Sequence, residues 1–390
     1  MAEEKAHALL SASGATRWLN CNPSARLEEI FEDTESEFAK EGTLAHELAE
    51  LKLQKYFFMT GMAKKDYSIK LNEIKRNELW KDEMDNYTDE YVDHVKAITM
   101  SFETAPFIEI EKEVDFGEYA PEAFGTADTI IINNDRLYVI DLKYGKGVPV
   151  YAENNPQLML YGLGAYLEYS LFYNIQDIEL HIVQPRLDSI TVFNISVTNL
   201  LDWAENVVRP NAVKAFDGVG EFNPGLACSF CRAGAVCRAR AEKNLEIEKE
   251  MEKGPILSNS EIGEILKRAK EIAKWAKDLE EYALKACLKG EEIAGWKVVE
   301  GRTSRAFSDT DLAIDKLLEH GIAEELIYER KMLTLPQLET LVGKKDFKEY
   351  VGDMVVINSG KPTLALETDK REALKPKASA KDDFAVYEEN

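Results

Sequence analysis

The sequence predicts an α/β chain: a core with a central mixed sheet flanked by helices, then a smaller, mainly helical C-terminal module. Three observations carry this. "TIIINNDRLYVI" sets two apolar runs of strand-forming residues around a polar turn. "FIEIEKEVDF", "IELHIVQPR" and "SITVFNISV" are further strand-like runs. Stretches with apolar residues every three or four positions stand before, between and after them.

Taken in order, residues 1–60 read as helices, first "LLSASGATRWLN" and then one carrying His46. "KDEMDNYTDEYVDHVKAITM" is a further helix by its apolar spacing, and "FIEIEKEVDF" a strand. In the hairpin, Thr129–Ile132 and Leu137–Ile140 are the strands, with Asn134-Asp135 as a two-residue turn and Asn133 facing Arg136. "YAENNPQLMLYGLGAYL" places Asn155 as N-cap and Pro156 at the first position of an apolar helix. Two more strands follow, then the helix "LLDWAENVVRPNAVKAF", which leads into a cysteine-rich loop. The charged run "EKNLEIEKEMEKGP" links to "LSNSEIGEILKRAKEIAKWAKDLEEYALKACLKGE", one amphipathic helix of about eight turns. "GWKVVEGRTSRAF" reads as a short strand with an arginine-bearing loop, then two shorter helices and a small "DMVVIN" strand. The expected division is residues 1–245, 246–368 and a charged, disordered tail over 369–390.

At 390 residues the chain has room for two domains, and its 45% apolar content suits a globular protein. No apolar run is long enough to span a bilayer, so no membrane association is expected. "MAEEKAHALL" lacks a basic start with a long apolar core, which predicts a cytoplasmic chain with reduced thiols. The net charge of −23 excludes a broadly cationic surface. A nucleic-acid enzyme of this composition needs a local basic channel, for which Lys143, Lys146, Arg186, Arg232, Arg238, Arg240, Lys297, Arg302 and Arg305 are candidates. No phosphate-binding glycine motif is present.

Counting outward from the hairpin turn puts Asp128 opposite Asp141, with Cβ atoms about 5 Å apart. Two like charges there repel unless a divalent cation lies between them, and hard oxygen ligands suit magnesium or manganese. Lys143, two residues after Asp141, points to the same face. A solvent-facing hairpin end with simple salt bridges is the competing interpretation. Gln157 and Tyr161, four apart, share one face at a helix start, where the dipole favours anions; packing of Tyr161 into the core competes with that role. Cys228, Cys231 and Cys237 offer three thiolates in one loop, and Cys21, about two hundred residues upstream, is a candidate fourth. Four thiolates serve an iron–sulfur cluster and zinc alike. Cys287 falls in a helical pattern as a small buried apolar residue.

Together these residues resemble the RecB-like branch of the PD-(D/E)XK nuclease superfamily. The match is to its iron–sulfur members, such as the AddB nuclease domain and the CRISPR-associated adaptation nucleases, and more narrowly to a phage and prophage group. "EGTLAHELAE" with His46 matches the first motif, "GTAD" with Asp128 the second, "DLK" with Asp141 and Lys143 the third, and "QLMLY" with Gln157 and Tyr161 the fourth. Asp rather than the commoner Glu precedes the lysine, and the likeness spans roughly residues 10–240. The resemblance implies a restriction-endonuclease-like core. It also implies a magnesium- or manganese-dependent deoxyribonuclease, an exonuclease acting on DNA ends or single strands in phage replication or recombination. His46, Asp128, Asp141 and the Leu142 carbonyl would hold the cation, Lys143 would orient the nucleophile, and Gln157 and Tyr161 would position the DNA. Cys21, Cys228, Cys231 and Cys237 would hold a 4Fe-4S cluster, with zinc as the alternative. A phage annealing or replication protein is the expected partner, and a bacterial host cytoplasm the expected location. The rival is a catalytically silent DNA-binding or scaffold protein of the same fold.

Overall fold

Five strands form one mixed sheet in chain order: β1 Phe107–Asp115, β2 Phe124–Asn133, β3 Arg136–Leu142, β4 Asp177–Gln184 and β5 Ser189–Ser196. The computed structural model describes residues 8–32, 36–58, 64–245, 259–299, 310–319, 338 and 342–355. The β3–β4 pair is parallel and the other three are antiparallel. A parallel pair needs a crossover, and helix α6, Pro156–Tyr169, supplies it. The hairpin has the expected register, Asn133 pairing with Arg136 and Asn134 in the left-handed region at φ 55°.

Helices α1 Ala15–Asn20, α2 Ser24–Glu28, α3 Glu37–Phe57, α4 Lys64–Lys75 and α5 Glu83–Met100 precede the sheet. Helix α4, absent from the sequence reading, is polar enough to carry little apolar periodicity. Helices α7 Val197–Trp203 and α8 Arg209–Asp217 run on from one another through a π-helical turn, Ala204–Val208, where the sequence suggested one helix. Helix α9, Arg238–Leu245, follows the cysteines.

One face of the sheet buries Ile130, Ile132, Leu137, Val139, Ile178 and Leu180 against α6. The other buries Ile110, Ile131, Ile140, Leu142 and Val183 against α3 and α5. The alternation breaks at one place. Ile110 packs on the α5 side, yet Lys112, two residues on, pairs with Glu168 of α6. On β2, Thr129 meets Tyr91 of α5, yet Ala127 lies in the α6 core. Both strands therefore change face between these residues, at Glu111 and Asp128, which oppose each other between the pairs Ile110↔Thr129 and Lys112↔Ala127. Glu111 makes the change with φ 49°, a left-handed value strained for a strand residue.

On the α5 side, His94 Nε2 and His181 Nδ1 lie 3.1 Å apart, and His181 Nε2 lies 2.9 Å from Glu179 Oε1. Only one proton fits between the two rings. Burial first and the neighbouring ring second push His94 down to about 4, and burial lowers buried His181 despite Glu179. A histidine depressed in the folded state binds protons more readily unfolded, so stability is full above about pH 6.5 and falls as pH drops towards 4. His94→Gln is expected to flatten the pH dependence of Tm across that window by several degrees. Superimposable curves for variant and wild type would rule the pair out as the acid-sensitive element.

Helix α10, Asn259–Leu288, is the long amphipathic helix expected. It packs on the cysteine loop: Trp275 Nε1 donates to the Ala235 carbonyl at 2.9 Å, and Asp278 receives Arg240 at 2.7 Å. The chain divides into two units, Met1–Arg302 and Thr303–Asn390, so the expected boundary at 245/246 falls inside the first. The second unit carries α11 Thr310–Glu319, α12 Lys344–Val351 and a 3-10 turn Gly352–Met354, where "DMVVIN" suggested a strand. Residues 296–299 of the other expected strand are irregular; Arg302, Arg305 and the tail 369–390 lie outside the described residues. Among the described residues no helix is long and apolar enough to cross a membrane.

Candidate active site

The β2–β3 ladder ends at Thr129↔Ile140, one residue short of Asp128 and Asp141. There a side chain takes over the pairing: Asp128 Oδ2 accepts the Leu142 amide at 2.7 Å. The same oxygen lies 3.2 Å from His46 Nε2. His46 Nδ1 in turn lies 2.9 Å from the carbonyl of Gly42, one turn earlier in α3. That contact orients the ring and aims Nε2 at Asp128, the kind of contact that orients metal-binding histidines. Burial works against an imidazolium here, but the charge and hydrogen bond of Asp128 outweigh it and push His46 up to about 10.

Asp141 is 2% exposed. Its Oδ2 lies 2.8 Å from Lys143 Nζ yet receives no hydrogen bond of good geometry. Burial, despite Lys143, pushes Asp141 up to about 6, with Asp128 adding to the rise. Lys143 also donates to Gln157 Oε1 at 3.0 Å, and Gln157 Nε2 donates to the Tyr161 hydroxyl at 2.9 Å. Gln157 is held at the start of α6 because Asn155 caps it, accepting from Gln157 N and Leu158 N. Tyr161 is itself buried, its ring filling the space beside Gly125, where a Cβ would lie 2.9 Å from Tyr161 Cε1. The glycine of "GTAD" thus makes room for the tyrosine of "QLMLY". Tyr161 packs in the core and reaches the network through Gln157.

The structure brings His46, Asp128, Asp141, Leu142, Lys143, Gln157 and Tyr161 into one connected network. It also adds Glu111. With His46, Glu50, Asp128 and Leu142, Glu111 lines one narrow cleft, and burial first and Asp128 second push it up to about 8. In "FIEIEKEVDF" it reads as one polar position of an ordinary strand; only the change of face at its left-handed backbone betrays it. Glu111→Gln mimics the protonated acid. It is expected to match wild-type Tm below pH 5 and exceed it above pH 8, because a raised carboxyl withdraws stability as it ionises in the fold. If Glu111 serves the site, catalytic turnover should nevertheless fall roughly tenfold or more. Unchanged turnover would leave it a strained strand residue only.

The expected basic channel is thinner than the sequence suggested. Arg186 is held by Glu41 at 3.3 Å and Glu83 at 3.1 Å beneath Tyr144, and Arg240 by the Gly234 carbonyl and Asp278.

Cys21, Cys228, Cys231 and Cys237 line a common cavity of about 30 Å³ beside Arg17, Phe222 and Pro224. Cys21 sits at the end of α1, and the other three lie in the loop between α8 and α9. Gly234 permits this loop: a Cβ there would collide with the Cys228 carbonyl and come within 2.8 Å of that of Cys231. Burial raises Cys21, with the neighbouring Cys228 and Cys237 sulfurs adding to it, and burial pushes Cys231 up to about 12, with Glu28 adding to it. Cys287 is half-buried on α10, apart from this cavity.

A family described as "Protein of unknown function (DUF2800)" matches residues 7–372, nearly the whole chain. The chain belongs to the DUF2800 family. A solved structure described as "Crystal structure of SSO0001" is similar at 16% identity over 58% of the DUF2800 chain and 96% of its own, with a TM-score of 0.25.

The donor sets of both sites fit metals. At the sheet end, two carboxylates, one with a buried oxygen lacking a hydrogen bond, stand beside an oriented imidazole. At the cysteines, four thiols face one cavity. Among the described residues no three histidine, cysteine or acidic groups already converge as a metal centre. His46 instead bonds Asp128, and Asp141 leans on Lys143.

Proposed function

We propose that this DUF2800 protein is a magnesium- or manganese-dependent deoxyribonuclease of the RecB-like PD-(D/E)XK type, an exonuclease acting on DNA ends or single strands. The observation that carries the reading is the chain of contacts His46–Asp128–Leu142 and Asp141–Lys143–Gln157 at the open end of β2 and β3. A purely structural hairpin has little use for a buried carboxylate such as Asp141, whose desolvation and repulsion by Asp128 both cost stability.

In this reading His46, Asp128, Asp141 and the Leu142 carbonyl would hold the cation, whose chemistry would be to lower the pKa of a bound water and steady the attacked phosphate. Lys143 places an ammonium beside Asp141, where it orients the attacking water and offsets charge on the phosphate oxygens. Gln157, braced by Tyr161, accepts from Lys143 and helps fix its side chain. Gly42 keeps the His46 ring turned so that Nε2 faces the carboxylate.

A 4Fe-4S cluster at Cys21, Cys228, Cys231 and Cys237 belongs to the proposal, with zinc as the alternative, because the four thiols line one cavity and four thiolates serve either group. The protein would act in a bacterial cytoplasm on phage DNA, alongside an annealing or replication protein.

The direct His46–Asp128 bond and the net charge of −23 favour a second reading, a silent DNA-binding or scaffold protein. A time course on end-labelled linear and on circular DNA, with magnesium, manganese or chelator, decides between them. Loss of linear DNA from its ends with either metal and none with chelator supports the nuclease. Intact DNA under every condition leaves the silent protein.

A further inference from the structure

The thirteen residues between Lys143 and Gln157 leave the site and return to it, because those two side chains bond each other at 3.0 Å. The loop between them is held by its backbone. Buried Gln184, at the end of β4, donates to the Gly145 carbonyl at 2.6 Å and the Val148 carbonyl at 2.9 Å, and accepts from Val150 N at 3.0 Å. Thr191 on β5 receives Ala152 N at 3.0 Å. Tyr144, at the loop's base, is buried under Arg186.

What this fixed backbone displays is unusual for a loop. Val148 is 54% exposed and Tyr151 46% exposed, with Lys146 exposed between Gly145 and Gly147. Both glycines border open space. An aliphatic side chain, an aromatic ring and a cation are therefore presented to solvent on a rigid support that begins and ends at the candidate catalytic residues.

We propose that this loop is a stacking platform for the unpaired bases of single-stranded DNA entering the site, with Tyr151 and Val148 against the bases and Lys146 near the backbone. The inference rests on the nuclease reading and assigns its substrate class. Charge argues for stacking over an electrostatic grip. The chain carries −23, and Arg186, stacked on Tyr144 at the loop's base, is already held by Glu41 and Glu83. A protein with few free cations at its site cannot gain much from releasing counterions. Aromatic stacking is sequence-tolerant, asks for no net positive charge, and contributes about 1–3 kcal/mol per base. A rigid platform also spends little conformational entropy on binding.

The test uses the full-length protein with a single-stranded oligodeoxynucleotide carrying 2-aminopurine, whose fluorescence is quenched by stacking. Tyr151→Ala is expected to raise KM about tenfold, leave kcat within about twofold, and abolish the quench. Tyr151→Phe, which keeps the ring, should restore both. Binding should weaken only mildly with salt, with a log–log slope of about −2 or shallower. Circular dichroism melting of each variant checks the fold.

If Tyr151→Ala keeps wild-type KM and quench while Asp141→Ala is inactive, the platform is wrong and the nuclease reading stands. If Tyr151→Phe is as impaired as Tyr151→Ala, the hydroxyl rather than the ring matters, and stacking is overturned. Unchanged DNA binding by Tyr151→Ala with lost self-association in sedimentation reassigns the loop to a protein contact. Wild-type protein that cleaves no DNA with either metal removes both proposals together.

Discussion

Asp141→Ala and Lys143→Ala are each expected to lower DNA cleavage by about 10³-fold or more while leaving the protein folded. The two should differ in what they do to stability. Asp141 is almost fully buried, and burial holds its carboxyl up near 6, so at pH 8 its charge is maintained at a cost to the folded state. A carboxyl raised in the fold contributes stability below its unfolded pKa and withdraws it as pH climbs through the folded value. Removing that charge at pH 8 should therefore leave Tm equal to or above wild type. Lys143→Ala does the reverse. It strips the ammonium that lies 2.8 Å from Asp141 and leaves two neighbouring carboxylates without it, so Tm should fall by several degrees. A stable, inactive Asp141 variant is the signature of a site built for function. An Asp141→Ala protein that still cleaves DNA at the wild-type rate would sink the site, whatever its Tm.

Cys21→Ala is the second large effect, and it is a loss of stability. Protein prepared without oxygen should be brown in the wild type and colourless in the variant. Cys21 and Cys228 are about two hundred residues apart, and a cross-link closing so long a loop restricts the unfolded chain by roughly 5 kcal/mol in the entropy model. In a domain of this size that corresponds to roughly 10–20 °C in Tm. The contacts already joining these regions bring the effect towards the lower figure. Asn22 bonds Asn211, Arg26 donates to the Phe216 carbonyl, and Glu28 accepts the Arg232 amide, so α2 and the segment after α7 meet without any cofactor. Asp141→Ala should keep the brown colour, which separates the two sites. A colourless wild type carrying one equivalent of zinc would replace the cluster by zinc. A Cys21→Ala protein as stable as wild type would end the idea of a staple.

Much of this protein is set by short-range sequence. The hairpin follows from Asn134 taking a left-handed turn between two apolar runs, and its register follows from the turn, which puts Asp128 and Asp141 at the same level with no knowledge of the rest of the fold. Asn155 and Pro156 start α6 where they stand, and the three-to-four spacing of apolar residues marks α10 over nearly all of its length. These features depend on backbone preferences and periodicity within a few residues, which a sequence displays directly.

Other features depend on partners distant in the chain, and only the tertiary structure decides them. Lys112 and Ala127 change faces of the sheet because Glu111 turns its backbone, and nothing in "FIEIEKEVDF" signals that a strand residue will do so. Arg186 is a free cation in the sequence; it is tied up in the fold because Glu41 and Glu83 arrive from α3 and α5. The long helix reads as the start of a separate module, yet Trp275 and Asp278 bind it to the cysteine loop across a stretch of about forty residues. Gln184, whose three hydrogen bonds hold the loop beside Lys143, lies about forty residues further along the chain. Pattern reveals which face a residue shares with its neighbours. Which buried polar group finds which partner is settled only when the chain packs, because each such group must be satisfied by whatever the fold brings beside it.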